Sequence, residues 1–112
     1  TVDRIIELIQ SKKGEDIAVL DVRKVTSVAD YFILTTGSSN VHVKAIADEV
    51  RHRLKKDDGI MPWHAEGFEG LKWVLIDYVD IVVHVFDQKT RDYYDIEKLW
   101  EDASVRRIET EY

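Results

Sequence analysis

The chain has 112 residues, of which 45% are hydrophobic and 34% charged, with one proline, five glycines and no cysteine. This composition is typical of one compact globular domain. The missing cysteines exclude disulfides, cysteine-ligated zinc, iron–sulfur clusters and thiol nucleophiles. No apolar run approaches the roughly 20 residues that span a bilayer, and Thr1-Val2-Asp3-Arg4 is unlike the start of a secretory signal. We therefore expect a protein of the cytoplasm, or of an organelle matrix, without a membrane contact.

The net charge of −6 is distributed unevenly along the chain. Residues 1–59 carry ten Lys/Arg and ten Asp/Glu, whereas residues 60–112 carry six Lys/Arg and twelve Asp/Glu. Nucleic-acid binding needs basic groups that displace counterions from phosphates, so direct binding to DNA or RNA is disfavoured. A basic protein partner is electrostatically favoured.

The chain begins with a helix followed by a hairpin. Apolar residues from Val2 to Ile9 follow helical spacing, and Gly14 ends that helix. The β-branched runs 17–22 and 29–36 are too short for helices and predict two strands. The short polar loop between them predicts that the two strands form a hairpin.

A second helix follows the turn residues after Gly37. Ser39 or Asn40 is placed to cap its first amides, and apolar residues at 3.6-residue spacing continue as far as Lys56. This helix is expected to cover one face of the sheet. Residues 60–65 then predict another short strand.

The clearest pattern lies in the second half of the chain. The β-branched runs 73–78 and 81–86 flank a short polar break and predict a second, centrally placed hairpin. Residues 87–92 are predicted to be a polar connection. Apolar residues from Ile96 to Ala103 then have helical spacing, with Asp95 placed to cap that helix.

These elements do not alternate strictly between strand and helix, so a fully parallel doubly wound sheet is disfavoured. We expect an α/β fold with a mixed five-stranded sheet and flanking helices. The chain predicts a single domain, 1–112, with 104–112 as a loosely held tail.

Catalytic constellations are incomplete. Ser38 and Ser39 lack the strand-to-helix G-x-S-x-G arrangement of a serine nucleophile and fit a helix cap instead. Gly37-Ser38, between a strand and a helix, is similar to the entry of nucleotidyltransferases, where backbone amides hold a triphosphate. That chemistry also needs paired metal-binding carboxylates, but Asp48 and Glu49 are adjacent and diverge on their helix, and the chain has no D-x-D.

The four histidines differ in their surroundings. His52 lies four residues after Asp48, a spacing that favours a solvated helix pair over a metal site. His42 and His64 have no companion at ligand spacing. His84 interrupts an apolar strand, and two interpretations stay open: a buried histidine bonded within the fold, or a contact to a partner.

Aromatic and acidic residues are combined around the second hairpin. Such a combination can bind a basic protein, because aromatic rings supply desolvated contact area and carboxylates meet Arg or Lys. Trp73 fits the core equally well, and the carboxylates could be ordinary turn residues. The residues concerned are Glu66, Trp73, Asp77, Tyr78, Asp80 and Phe86.

Eight short segments in a fixed order together resemble the ribosomal silencing factor, or Iojap, family. The match covers residue 2 to about residue 103, and the closing R-x-x-Y-x-[LI]-E-x-L-W is its most specific part. The segments are 17–22, 29–33, 36–39, 43–48, 66–67, 73–78, 83–86 and 91–100.

The resemblance implies a nucleotidyltransferase-like fold without the catalytic carboxylates, and hence a protein that is not an enzyme and uses no cofactor or metal. It also implies binding to a basic protein of the large ribosomal subunit, the one numbered fourteen. Occupying that protein would sterically block joining of the small subunit and repress translation. Relatives in organelles act in assembly of the large subunit.

The family's tryptophan and H-V segments fall on Trp73 and on His84-Val85, so the resemblance places the partner contact on this part of the sheet. Val79 stands where the family commonly has glycine, which puts the turn geometry in question. Leu99 and Trp100 are interpreted as packing residues, while Arg91 and Tyr94 are left unassigned. The predicted partner-binding residues are Glu66, Trp73, Asp77, Tyr78, His84 and Phe86.

Two other functions remain open at this point. One is a nucleotide-binding or nucleotidyltransferase-type enzyme that uses Gly37-Ser38. The other is a homodimeric scaffold whose copies pair through the aromatic surface.

Overall fold

The computed structural model describes all 112 residues, and its centre is a mixed sheet of six strands. The helices are α1 (Val2–Ser11), α2 (Asn40–Asp58), α3 (Gln88–Tyr94) and α4 (Ile96–Leu99). The strands are β1 (Glu15–Asp21), β2 (Tyr31–Gly37), β3 (His64–Glu66), β4 (Trp73–Asp77), β5 (Ile81–Asp87) and β6 (Ser104–Arg107).

The strands are arranged in the order β3-β4-β5-β2-β1-β6. The central pair, β2 and β5, is parallel, and every other neighbouring pair is antiparallel. Both predicted hairpins, β1–β2 and β4–β5, are therefore confirmed, as is the α/β class with a mixed sheet. The predicted count of five strands is wrong, because β6 adds a sixth.

β6 forms at the end of the chain that was expected to be loosely held. It pairs with β1 from Ala18 opposite Arg107 to Asp21 opposite Ser104, and the amide of Ile108 donates to the carbonyl of Ile17 at 2.9 Å. All four β6 side chains are exposed, so the strand has no alternating apolar pattern. It is held by backbone hydrogen bonds that β1 would otherwise leave unmade.

Helices α1 and α2 cover one face of the sheet, as predicted for α2. The larger core cluster, 17 buried residues, joins these helices to inward-facing residues such as Ile33, Val74 and Val83. A second cluster of ten residues lies on the opposite face and includes Phe32, Phe86 and Ile96. The sheet thus has a helix-covered face and a second face against which segment 88–103 packs, together with Val22 and Ala29 of the connection between β1 and β2.

The ends of α2 show the expected capping chemistry. The Ser39 side chain accepts a hydrogen bond from the amide of His42 at 3.1 Å, which identifies Ser39 as the N-cap. At the other end Gly59 adopts a left-handed conformation, with φ of +69°, that a glycine takes without steric cost.

The turn between β4 and β5 contains a strained residue. The amide of Asp80 donates to the carbonyl of Tyr78 at 2.9 Å, and Val79 between them has φ of +74°. These features match a γ-turn of the rarer, strained kind, and a β-branched residue with positive φ is an outlier. Val79 therefore forms this turn at a cost in backbone strain.

The prediction for the last helix is wrong in two respects. Residues 87–92, predicted to be a connection, mostly belong to α3, whose N-cap Asp87 accepts from the amide of Thr90. The predicted helix 96–103 is only the four-residue α4, and Asp95 makes no side-chain cap to it. Asp95 instead has φ of +44° and turns the chain between α3 and α4.

Candidate functional site

The alternation of side chains along β4 sorts the predicted site residues by sheet face. Trp73, Leu75 and Asp77 are half-buried on the face away from α1 and α2, whereas Val74 and Ile76 are buried in the helix-side core. In the register of the sheet, Glu66 and His84 both lie opposite Leu75, and Phe86 lies opposite Trp73. We call the surface formed by Glu66, Trp73, Leu75 and Asp77 the Trp73 face.

Tyr78 is the one predicted residue that lies elsewhere. It packs against the helix-side core cluster, and its hydroxyl is buried without a hydrogen-bond partner. Burial raises the pKa of Tyr78 to about 12. The structure therefore brings five of the six predicted residues together and leaves Tyr78 on the other side of the sheet.

The Trp73 indole is held in one orientation. Its Nε1–H donates a hydrogen bond to Nδ1 of His84 at 3.0 Å. Its ring stacks on Phe86, with the centroids 5.1 Å apart, and contacts Tyr94 with the centroids 5.0 Å apart. A rigid, half-buried indole loses little entropy on binding, which suits it to act as an anchor.

His84 supports this indole from within the fold. It is 5% exposed, and burial lowers its pKa to about 4, so the ring is neutral near pH 7. Because Nδ1 accepts from Trp73, the ring proton sits on Nε2, which has no partner. The ring is parallel to Phe86 and edge-on to Phe32.

Neither His84 nor Phe86 is placed to touch a partner directly. Phe86 is fully buried and belongs to the second core cluster, and His84 lies beneath Trp73. The interpretation of His84 as a residue bonded within the fold agrees with this placement. Both residues position Trp73 instead of forming the surface.

A depression of about 310 Å³ opens beside the indole, lined by Glu66, Gly67, Trp73 and Leu75. Gly67 makes this close approach possible, because a Cβ at this position would lie 2.0 Å from the carbonyl oxygen of Trp73. Its φ of +90° also favours glycine. The loop before β4 is thereby held directly against the Trp73 backbone.

The rim of the Trp73 face carries acidic groups. The exposed Glu66 carboxylate contacts only the His64 ring, with Oε2 and Nε2 3.1 Å apart. The Asp77 side chain accepts from the amide of Val79 at 2.7 Å and so also supports the turn. The arrangement offers an aromatic and aliphatic centre with carboxylates at its edge, the composition of a protein-binding patch.

Arg91 and Tyr94, left unassigned from the sequence, both support this site. The buried Arg91 guanidinium donates to the carbonyl of Asp16 at 2.7 Å and to Oγ1 of Thr36 at 2.9 Å, and it pairs with Glu97 at 2.9 Å. These bonds fix α3 to the sheet, and α3 carries Tyr94 against Trp73. Arg91 lies in the most specific family segment, and this position was the one indication in the sequence that Arg91 has a role in the site.

Leu75 is not among the predicted site residues, because the sequence predicts a centrally placed hairpin for this region and so gives no reason to expect an accessible leucine there. The structure separates the two residues that were predicted to pack, Leu99 and Trp100. The Trp100 ring contacts Phe32 with the centroids 5.2 Å apart, which confirms that Trp100 packs. Leu99 is 75% exposed, so its assignment to packing is wrong.

The Gly37-Ser38 loop is filled by a side chain of the protein itself. The amide of Ser38 donates to Nδ1 of His42 at 2.8 Å, and Nε2 of His42 donates to the carbonyl of Lys12 at 2.7 Å. The backbone amide that a phosphate would need is thus already used. Asp48 is paired with Lys44, and no group of three or more His, Asp or Glu is arranged to hold a metal ion.

None of the helices has the length and apolar composition needed to cross a membrane.

Comparisons with known proteins point to one family. The family model "Ribosomal silencing factor during starvation" matches residues 1–112. The ribosomal silencing factor RsfS of Bacillus subtilis (strain 168) is 43% identical over 98 residues, which cover 88% of this chain and 82% of that protein. The protein of the same name from Chromobacterium violaceum is 47% identical over 95 residues, covering 85% and 77%.

A solved structure agrees with the fold. A crystal structure of a Chromobacterium violaceum protein matches with a TM-score of 0.86 and 45% sequence identity, covering 89% of this chain and 82% of that one.

Proposed function

Because the chain belongs to the ribosomal silencing factor family, whose members silence ribosomes without being enzymes, we propose that it acts by steric occlusion of the large ribosomal subunit. Its docking partner is the basic protein numbered fourteen of that subunit. The Trp73 face binds this protein where the small subunit would otherwise dock. Joining is blocked while the factor is bound, and translation falls.

The rigid Trp73 indole is the observation that carries this proposal. Anchors of protein interfaces are enriched in tryptophan, which buries a large area in a pocket of the partner. Trp73 is half-buried, fixed by His84 and Phe86, and continuous with the half-buried Leu75. A surface of this kind is prepared for contact without reorganisation.

Charge supports a basic partner. Glu66 and Asp77 stand at the edge of the Trp73 face, and the second half of the chain, which builds this face, carries twice as many acidic as basic residues. Opposite charges at a rim speed association and select the correct partner. Phosphates of ribosomal RNA would be repelled from the same surface.

The fold also supports a proposed relationship to nucleotidyltransferases that lack the catalytic carboxylates. Gly37 and Ser38 lie between β2 and α2, and the chain contains no D-x-D. His42 occupies the backbone amide of Ser38, which favours a binding protein over a nucleotide-dependent enzyme.

Sedimentation of ribosomal subunits tests the proposed function. Purified small and large subunits are mixed with the protein under joining conditions and separated on a sucrose gradient. We expect fewer joined ribosomes and co-migration of the protein with the large subunit. Joining that proceeds unchanged, with the protein left at the top of the gradient, would refute the proposal.

Variants locate the contact. Trp73→Ala is expected to weaken binding to the isolated ribosomal protein by about 2 kcal/mol or more, roughly 30-fold, as for other anchor residues. Glu66→Gln removes a rim carboxylate and is expected to slow association with the basic partner. Glu109→Gln is its matched control and should leave association unchanged, because Glu109 is exposed and makes no ion pair. A folded Trp73→Ala protein that binds as tightly as the parent moves the site away from the Trp73 face.

A further inference from the structure

A groove lies on the other side of the molecule, between α2 and the segment that follows it. Asp48, Arg51, His52 and Lys55 form one stripe of the helix, at positions i, i+3, i+4 and i+7. Met61 and Pro62 form the facing wall, and the groove encloses about 570 Å³.

The charges in this groove differ from those of the whole protein. Lys55 is exposed and makes no ion pair. The Arg51 guanidinium lies over the ring of Phe68, 4.0 Å from its centroid, which holds it in place. The one carboxylate, Asp48, is paired with Lys44 and lies 3.8 Å from Arg51. The groove is therefore locally basic, although the protein is acidic overall.

Large apolar side chains project into solvent at the end of the same segment. Trp63 is 75% exposed and Met61 is 61% exposed. The amide of Trp63 donates to the carbonyl of Asp77 at 2.8 Å, so the segment is anchored to β4. Pro62 restricts the backbone between the two residues. The exposed indole, held by an anchored backbone, is available to stack on a flat ring of a partner.

We propose that this groove and Trp63 bind a single-stranded segment of RNA. Arg51 and Lys55 contact phosphates, and the indole of Trp63 stacks on a base, the combination by which proteins hold unpaired RNA. An acidic protein segment would pair with the two cations, Arg51 and Lys55. Its carboxylates would offer no ring that could stack on the Trp63 indole. This inference rests on the proposed function: Trp63 is bonded to Asp77 at the edge of the Trp73 face, so a large subunit docked on that face brings its RNA closest to this end of the groove.

Ultraviolet cross-linking tests this contact on the full chain bound to large subunits. After digestion, mass spectrometry is expected to find a nucleotide adduct on the peptide that contains residues 61–63. Absence of that adduct, while the protein co-sediments with the subunit, overturns the groove and leaves the proposed function standing.

Two variants give an independent measure. Trp63→Ala should weaken binding to large subunits about tenfold, since stacking of one base contributes about that factor or more. Lys55→Gln should lower the salt dependence, the slope of log Kd against log salt, by about 0.7, as expected for one phosphate contact on a single strand. Both variants should bind the isolated ribosomal protein like the parent.

Lys24→Gln is the control, because Lys24 is an exposed lysine outside the groove without an ion pair. If Trp63→Ala and Lys55→Gln bind the subunit as tightly as the parent and the Lys24→Gln control do, the groove proposal is refuted. If the parent itself does not co-sediment with large subunits, the proposed function fails. The groove is then tested separately, by measuring binding of the parent to an oligouridine of about ten nucleotides. Saturable oligouridine binding that is lost in Trp63→Ala supports the groove proposal. The absence of oligouridine binding, or displacement of the oligouridine by polyglutamate, overturns it.

Discussion

The Nε1–H of Trp73 donates to Nδ1 of His84 across neighbouring strands at 3.0 Å. One hydrogen bond thus joins a half-buried surface residue to a residue that is 5% exposed. It fixes the tautomer of the imidazole and the plane of the indole together. The orientation of the proposed anchor depends on a residue that the partner does not reach.

Trp73→Phe should therefore destabilise the fold by about 2 kcal/mol, because it leaves a buried acceptor on His84 without its donor. Urea denaturation measures this loss. Trp63→Phe, at an exposed position, should change the free energy of unfolding by less than about 0.5 kcal/mol. Equal losses in the two variants would contradict the importance of the hydrogen bond.

His84 should also make stability depend on pH. Its pKa is about 4 in the folded protein, whereas an unperturbed histidine, as in the unfolded chain, has a pKa of 6.5. The unfolded state therefore binds the proton more tightly. The contribution of neutral His84 to the free energy of unfolding is therefore fully present above pH 6.5. It is lost as the pH falls toward 4, by up to about 3 kcal/mol.

His84→Phe removes this titration and supplies the matched comparison. The difference in unfolding free energy between parent and variant should shrink or reverse between pH 7 and pH 4.5, as measured by urea denaturation at each pH. Parallel pH profiles would show that His84 does not carry the effect.

Much of this fold follows from pattern alone. The two long helices are predicted because their apolar residues recur at helical spacing, and the two hairpins because their strands are short β-branched runs around a polar break. β6 and α3 are not, because Ser104–Arg107 has only exposed side chains and Gln88–Tyr94 buries only Arg91. Elements held by backbone bonds or by one buried cation leave no hydrophobic periodicity to detect.

The candidate site was predicted as a set of residues, but their roles were not separated. Strand alternation could have placed Tyr78 opposite Trp73 and Asp77, because neighbours in a strand point to opposite faces. The sequence left the burial of His84 open, since it depends on rings such as Phe32, which lies on a strand distant in the chain.

The turn at Val79 offers a stabilising substitution. Val79→Gly should raise the free energy of unfolding by about 1 kcal/mol, because a β-branched residue at φ of +74° is strained and glycine is not. Thermal denaturation measures the change. Val41→Gly, at an exposed valine in the first turn of α2, should instead lower stability by about 0.4 kcal/mol. A destabilised Val79→Gly protein would argue against strain at this turn.

Gly67 and Gly70 provide a second matched pair. Gly67→Ala would place a methyl group 2.0 Å from the Trp73 carbonyl at φ of +90°, so a loss of about 3 kcal/mol and weaker partner binding are expected. A Cβ at Gly70 would have nothing within 4 Å, and Gly70→Ala should be nearly neutral. Chemical denaturation and binding to the partner are measured for both variants. Similar stabilities and affinities of the two would refute the close approach of Gly67 to the Trp73 backbone.

Arg91 should be the most sensitive charged residue. Arg91→Met leaves the carbonyl of Asp16 and Oε1 of Glu97 without their donor, although Oε2 of Glu97 keeps its pair with Arg107, and the loss should cost about 3 kcal/mol. Arg107→Met removes only the exposed pair with Glu97, worth less than about 1 kcal/mol. Chemical denaturation compares the two variants, and near-equal stabilities would show that burial does not strengthen the Arg91 contacts.

The two edges of the sheet are poor templates for another strand. β3 has only three residues, and β6 ends in Arg106 and Arg107, whose charges disfavour pairing with a strand of another chain. β6 also shields β1, which contains the buried run from Ile17 to Leu20. A chain shortened at residue 103 would present that run as an open apolar edge. Such a protein would fibrillise or swap strands at concentrations where the full chain stays monodisperse.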